Sequence, residues 1–234
     1  MLRTAPRLLP LLLVSFAFDA LAARPMATDD ARLTTAGSCQ LESWGKFAPG
    51  LREYWAAPAC NPFGNLELTL AANRIRQDEQ TISHDTQFQF KTLFRELDGD
   101  GWGWGWGMAL GTLRHPTGAP DDRGYHYAYL PLSVALAEQR VVLHLNLGWQ
   151  RVKHGRQLTT TWGAGSEIKL HERLLAIAEV YGDDRQSAAW QVGARFAIVP
   201  ERFQIDATLG RHVDQPWANH WLSLGLRLTP DRFF

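Results

Sequence analysis

The feature that most narrows what this chain can become is a period-two alternation of apolar and polar residues running from Asn65 to Leu228, broken only at turn-forming stretches. Successive side chains on a strand point to opposite faces, so alternation gives each strand one apolar and one polar face. Leu66, Leu68, Leu70 and Ala72 oppose Glu67, Thr69 and Asn73, while Val141, Leu143, Leu145, Leu147 and Trp149 oppose His144, Asn146 and Gln150. Further on, Trp190, Val192, Ala194, Phe196 and Ile198 oppose Gln191 and Arg195, and Phe203, Ile205, Ala207 and Leu209 oppose Gln204, Asp206 and Thr208. The last such run sets Leu222, Leu224, Leu226 and Leu228 against Ser223, Gly225 and Arg227.

A soluble sandwich also alternates, so the character of the polar face decides between architectures. Here that face carries Gly103, Gly105, Gly107 and Gly111 behind Trp102, Trp104, Trp106, Met108 and Leu110. Small residues suit a narrow interior, and large ones turned outward invert a soluble core. The links between strands alternate in length as well. Short turns at 61–64, 98–101, 138–139, 171–172 and 200–201 are interleaved with longer polar links at 74–81, 115–124, 151–157, 182–186 and 211–219. Short periplasmic turns and longer external loops are the habit of outer-membrane barrels. The expected fold is therefore all-β, an antiparallel transmembrane β-barrel of the bacterial outer membrane. Ten strands follow Asn65 and an N-terminal hairpin adds two, giving twelve; the alternative is ten strands plus a separate hairpin. Trp102, Trp149, Trp162, Trp190, Trp217 and Trp221 are candidates for interfacial girdles. The final strand should stop near Leu228, since Pro230 cannot donate to a ladder, and the terminal Phe234 resembles a barrel-assembly signal.

Ahead of the barrel, Arg3 and Arg7, the apolar run Leu8 to Phe18 and Ala20-Leu21-Ala22 read as an export signal with a small-residue cleavage site. The expected organisation is a signal peptide at 1–22, a short periplasmic segment at 23–37 and the barrel at 38–234. Cys39 and Cys60 then enter an oxidising compartment, where a pair is more often a disulfide than a metal or redox site. Pro49-Gly50 lies midway between them, and a two-residue turn there places 39 opposite 60 as a cross-strand staple. Formal net charge is zero, which removes any electrostatic case for nucleic acid. The expected partners are outer-membrane lipid, the barrel-assembly machinery during insertion, and small solutes.

With the faces so assigned, the interior receives Glu67, Asp85, Lys91, His144, Glu167, Lys169, Glu179, Arg195, Asp206 and Arg227, joined by a ladder of Tyr125, Tyr127 and Tyr129. Near-balanced acids and bases in a confined lumen either pair and hold the barrel shut or line a selective pore. The tyrosines either fill the lumen or guide a solute by ring contacts. Two functions follow: a passive, porin-like uptake pore for small molecules, or a non-conducting structural or adhesion barrel whose external loops bind a partner. Catalysis has poor support. Ser166 lacks the following glycine of a nucleophile elbow, and the adjacent His84 and Asp85 point to opposite faces. His115, His126, His144, His154, His171, His212 and His220 are scattered without metal-ligand spacing, and no cofactor is implied.

Gln40-Leu41-Glu42, the turn into Leu66-Glu67-Leu68, Val199-Pro200-Glu201-Arg202 before Gln204-Ile205-Asp206, and Ser223-Leu224-Gly225-Leu226-Arg227 occur in an order that resembles a family of outer-membrane channels named for the MetA pathway of phenol degradation. The resemblance spans most of the mature chain and implies a barrel that carries small, including aromatic, solutes; it implies no catalytic residues. The cysteine pair departs from that family's pattern.

Overall fold

The computed structural model describes residues 26–78, 80–114, 123–152 and 158–230. They form twelve strands: β1 (Ser38–Ala48), β2 (Leu51–Asn61), β3 (Glu67–Gln77), β4 (Gln80–Arg95), β5 (Trp102–Arg114), β6 (Arg123–Leu136), β7 (Val141–Val152), β8 (Leu158–His171), β9 (Leu174–Asp183), β10 (Ala189–Val199), β11 (Phe203–His212) and β12 (Trp221–Leu228). Each pairs antiparallel with its sequence neighbour, and β12 returns to β1 through Leu41↔Leu228 to Phe47↔Leu222, closing the barrel. Closure leaves no edge with unpaired amides. The N-terminal hairpin is thus part of the wall, which settles the strand count at twelve. Among the described residues the sole helical element is one 3-10 turn at Trp217–Asn219.

The distribution of polarity is that of a membrane barrel. Leu70, Phe88, Leu145, Val192, Phe196, Leu222 and Leu224 are exposed on the outside, whereas Gln87, Gln89, Lys91, His144 and Glu179 are buried inside. An apolar exterior on a closed, internally hydrogen-bonded sheet is a solution that a bilayer accepts, and it places the chain in the bacterial outer membrane.

The expected staple is present. Cys39 pairs with Cys60 in register and the two are disulfide-bonded, beneath a turn in which Gly50 takes a φ of 72° that favours glycine. Strand β12 ends at Leu228 as anticipated. Phe234, the signal at 1–22, residues 115–122 of the link expected at 115–124 and residues 153–157 of that expected at 151–157 lie outside the described residues.

Three expectations are corrected. The link proposed over 74–81 is mostly strand: β3 and β4 stay paired up to Gln77↔Gln80, so polar residues there extend the hairpin beyond the apolar band. Trp221 is not in a girdle but 3% exposed inside the barrel, as its alternation with Leu222 requires; its ring lies against Gly210, where a side chain would displace it. Finally, the segment expected at 23–37 does not stay on the periplasmic side where it is described. Residues 26–34 run inside the barrel, with Thr28, Asp29 and Ala31 at 2% exposure or less, while Thr35 and Ala36 are exposed.

Candidate functional site: a charged lumen and its N-terminal strap

The strap, residues 26–37, turns inward at the foot of β1, where Gly37 N–H donates to the Asn61 carbonyl, at the end of the barrel that carries the short turns. It has no repeating secondary structure. Its backbone is satisfied by side chains from the walls, as a buried chain requires. Glu67 of β3 accepts the Thr34 N–H at 2.7 Å and Ser133 of β6 accepts that of Ala31 at 2.8 Å. Asn146 of β7 accepts the Asp29 N–H at 2.7 Å, and Glu179 of β9 accepts those of Ala27 and Thr28 at 2.6 and 2.7 Å. Because these anchors sit on strands around the wall, the strap crosses the lumen.

Charge follows the same path. Lys91 Nζ lies 3.0 Å from Asp29, 3.6 Å from Asp30 and 4.0 Å from Glu67, and all four groups are largely shielded from water. Arg32 on the strap and Arg195 on β10 grip the two oxygens of Glu167, each at 2.9 Å. Paired in this way the ions are tolerable; removing one partner strands the other at a cost of ~3–5 kcal/mol.

The tyrosine ladder is a second support. Tyr125 OH donates to Asp85 at 2.7 Å, Tyr129 OH donates to Asp29, and Gln89 donates to Tyr129 at 2.7 Å. Tyr127 and Tyr129 stack with centroids 5.2 Å apart. Room for them comes from glycine: a Cβ at Gly107 would run into the Tyr129 ring, and one at Gly111 into that of Tyr125. Gly107 and Gly111, two of the glycines that the sequence places on the inner face of β5, are the beds on which these rings lie, while Gly103 and Gly105 admit the close approach of the backbone at 92–97.

Toward the short-turn end the lumen opens into a cavity of about 500 Å³ lined by strap residues and by Glu42, Trp44, Lys169, Arg195, Gln204 and Arg227, among others. Of the interior residues expected from alternation, Glu67, Asp85, Lys91, Tyr125, Tyr127, Tyr129, His144, Glu167, Glu179, Arg195 and Asp206 are buried. Arg227 is partly buried and Lys169 is exposed at the cavity mouth. Asp85, the tyrosines and Glu179 stand away from this cavity, at or beyond the strap.

Sequence reading missed Asp29, Asp30, Arg32, Glu42 and Ser133, and put Asn146 on the polar face without giving it a role. Alternation was a usable signal for Glu42, Ser133 and Asn146, but none marks the strap beyond the bare pair of acids. Ser133 and Glu167 also flank His144: Ser133 Oγ is 2.8 Å from His144 Nδ1, and His144 Nε2 is 3.7 Å from Glu167. The serine oxygen already accepts the Ala31 amide and is wholly buried. The trio braces the strap.

Several solved barrels are similar. The KdgM porin in complex with disordered oligogalacturonate superposes with a TM-score of 0.63 at 8% identity, over 81% of this chain and 98% of that one. The NanC porin gives 0.63 at 10% identity over 80% and 98%, and an outer-membrane channel from Pseudomonas putida F1 gives 0.63 at 11% over 86% and 98%. At these identities the likeness speaks for the fold. No curated protein matches the sequence. A family model described as "Uncharacterised conserved protein UCP029691" matches residues 11–229.

Proposed function

We propose, for a chain that belongs to the family UCP029691 across residues 11–229, that it is a passive outer-membrane channel for small polar solutes, narrowed by its own N-terminal strap. The observation that carries this reading is the cavity of about 500 Å³ inside a closed barrel, with charges of both signs on its wall. Fixed charges in a confined lumen choose among ions and polar solutes. Lys169, Arg195 and Arg227 among the cations and Glu42 and Glu67 among the carboxylates are the residues assigned to that selection; Asp85, His144, Glu167, Glu179 and Asp206 hold the wall and strap in place. The solute held by the KdgM porin supports a barrel of this size as a conduit for polar molecules. The MetA-pathway resemblance and the inward tyrosines support small aromatic solutes among the cargo. Insertion would proceed through the barrel-assembly machinery into outer-membrane lipid.

The test is single-channel recording of the refolded protein in a planar bilayer, wild type against Lys169→Gln with Arg227→Gln. Both substitutions remove positive charge from the cavity mouth, so the expected result is current steps whose selectivity moves toward cations. A folded but silent barrel, in the variant as in the wild type, would overturn the channel and favour the structural or adhesion barrel, for which the strap and its ion pairs would be a permanent filling.

A further inference from the structure

The strap is held in an unusual way for a structural filler: most of its bonds go to its backbone. The amides of Ala27, Thr28, Asp29, Ala31 and Thr34 all donate to lumen side chains. Three carbonyls accept as well: Asp29 from Asn146 Nδ2 at 2.8 Å, Asp30 from Lys91 at 3.4 Å and Thr34 from Asn61 Nδ2 at 2.7 Å. Asn146 therefore bonds Asp29 in both directions, as a residue on an adjacent strand would. Contacts of this kind do not depend on which side chains the bound segment carries. Direct reading of side chains centres on two adjacent carboxylates, Asp29 and Asp30, at Lys91, with Tyr129 adding a bond to Asp29 and Arg32 and Thr34 adding bonds to Glu167 and Glu67.

From this we infer that the lumen is a binding site for polypeptide backbone, with the strap as its resident ligand, and that free oligopeptides with two adjacent acidic residues take the same site when the strap withdraws. The inference rests on the channel reading and names a solute class for it. Glu179, Ser133 and Glu67 are buried acceptors and Asn146 a partly buried one, and withdrawal of the strap would trade their amide donors for water. A peptide that restores those bonds is a better replacement than none. The strap is tethered at Ser38, so it competes at a high effective concentration. A free peptide is accordingly a weak competitor until the strap's own hold is reduced.

The experiment uses the full mature chain carrying Asp29→Asn and Asp30→Asn, which removes both carboxylates from Lys91, together with a synthetic peptide of residues 26–35. Binding is read by fluorescence anisotropy of the labelled peptide on the barrel in detergent, and block by planar-bilayer current. The expected result is saturable binding about tenfold or more tighter than to the wild-type barrel, on the scale set by losing a buried ion pair. N-methylating the Thr28 and Ala31 amides of the peptide, which leaves the strap's own hold untouched, should weaken it by about tenfold. Replacing by alanine the side chains other than those of the acidic pair, Arg32 and Thr34 should leave binding largely intact. Equal binding of the N-methylated peptide, or no binding by any peptide, would overturn the inference. The two readings separate cleanly: current without peptide binding keeps the channel and rejects the peptide site, while peptide binding to a silent barrel does the reverse. Should the double variant fail to refold, Asp30→Asn alone must give the same ranking with smaller differences.

Discussion

At the level of single residues, the interior is decided by which partner a side chain meets. Lys91 is the clearest case, since it faces Asp29, Asp30 and Glu67 at once. Lys91→Met would leave those carboxylates buried without their cation, and the expected loss is about 3–5 kcal/mol, visible as a lower urea midpoint for the refolded barrel and as a strap newly open to protease. An unchanged midpoint would mean that water reaches the cluster freely. Gly107 is a contrasting case, because what matters there is an absence of atoms. Gly107→Val should push Tyr129 off its bed and cost about 1–3 kcal/mol by overpacking, measurable in the same titration; a smaller effect would show that the ring can swing aside. Alternation alone assigned Lys91, Glu67, Glu179 and Tyr129 to the inside, because the two-residue repeat is a property of the backbone. It could not pair them. Asp29 and Asp30 sit in a stretch with no period, so nothing local announces that they end beside Lys91, 62 and 61 residues away.

Among the elements, the β1–β2 hairpin shows where local sequence is sufficient. Pro49-Gly50 sets the turn, the turn sets the register, and the register brings Cys39 opposite Cys60. The staple closes a local loop of sequence separation 21, so a Cys39→Ser, Cys60→Ser variant should lose about 3 kcal/mol while keeping its closed, heat-modifiable form on gels. The reason is that β1 is also held by its ladder to β12. Collapse of the whole barrel on reduction would instead give the bond a role in closing the seam. The β3–β4 hairpin shows where local sequence misleads. Arg74, Arg76 and Gln77 look like loop by polarity, yet they continue the ladder, because pairing with a neighbour does not stop where the apolar band does. Boundaries of this kind depend on the partner strand, which composition does not report.

For the molecule as a whole, the strap is the feature on which the proposed function turns. Deleting residues 26–35 should raise unitary conductance several-fold if the strap is the main constriction, and a conductance equal to that of the wild type would assign the constriction to the tyrosine ladder instead. The architecture was legible because a repeat, a turn rhythm and an export signal all point the same way; the occupant of the lumen was not, since a segment that borrows its hydrogen bonds from distant walls leaves no pattern in its own residues. The position of that segment also has a bearing on biogenesis. It precedes β1, and β1 meets β12, the last strand to leave the ribosome, to complete the cylinder. Because the segment enters from the foot of β1 and can leave the same way, closing the cylinder and filling it are separate events, and the seam needs no help from the piece of chain that ends up inside.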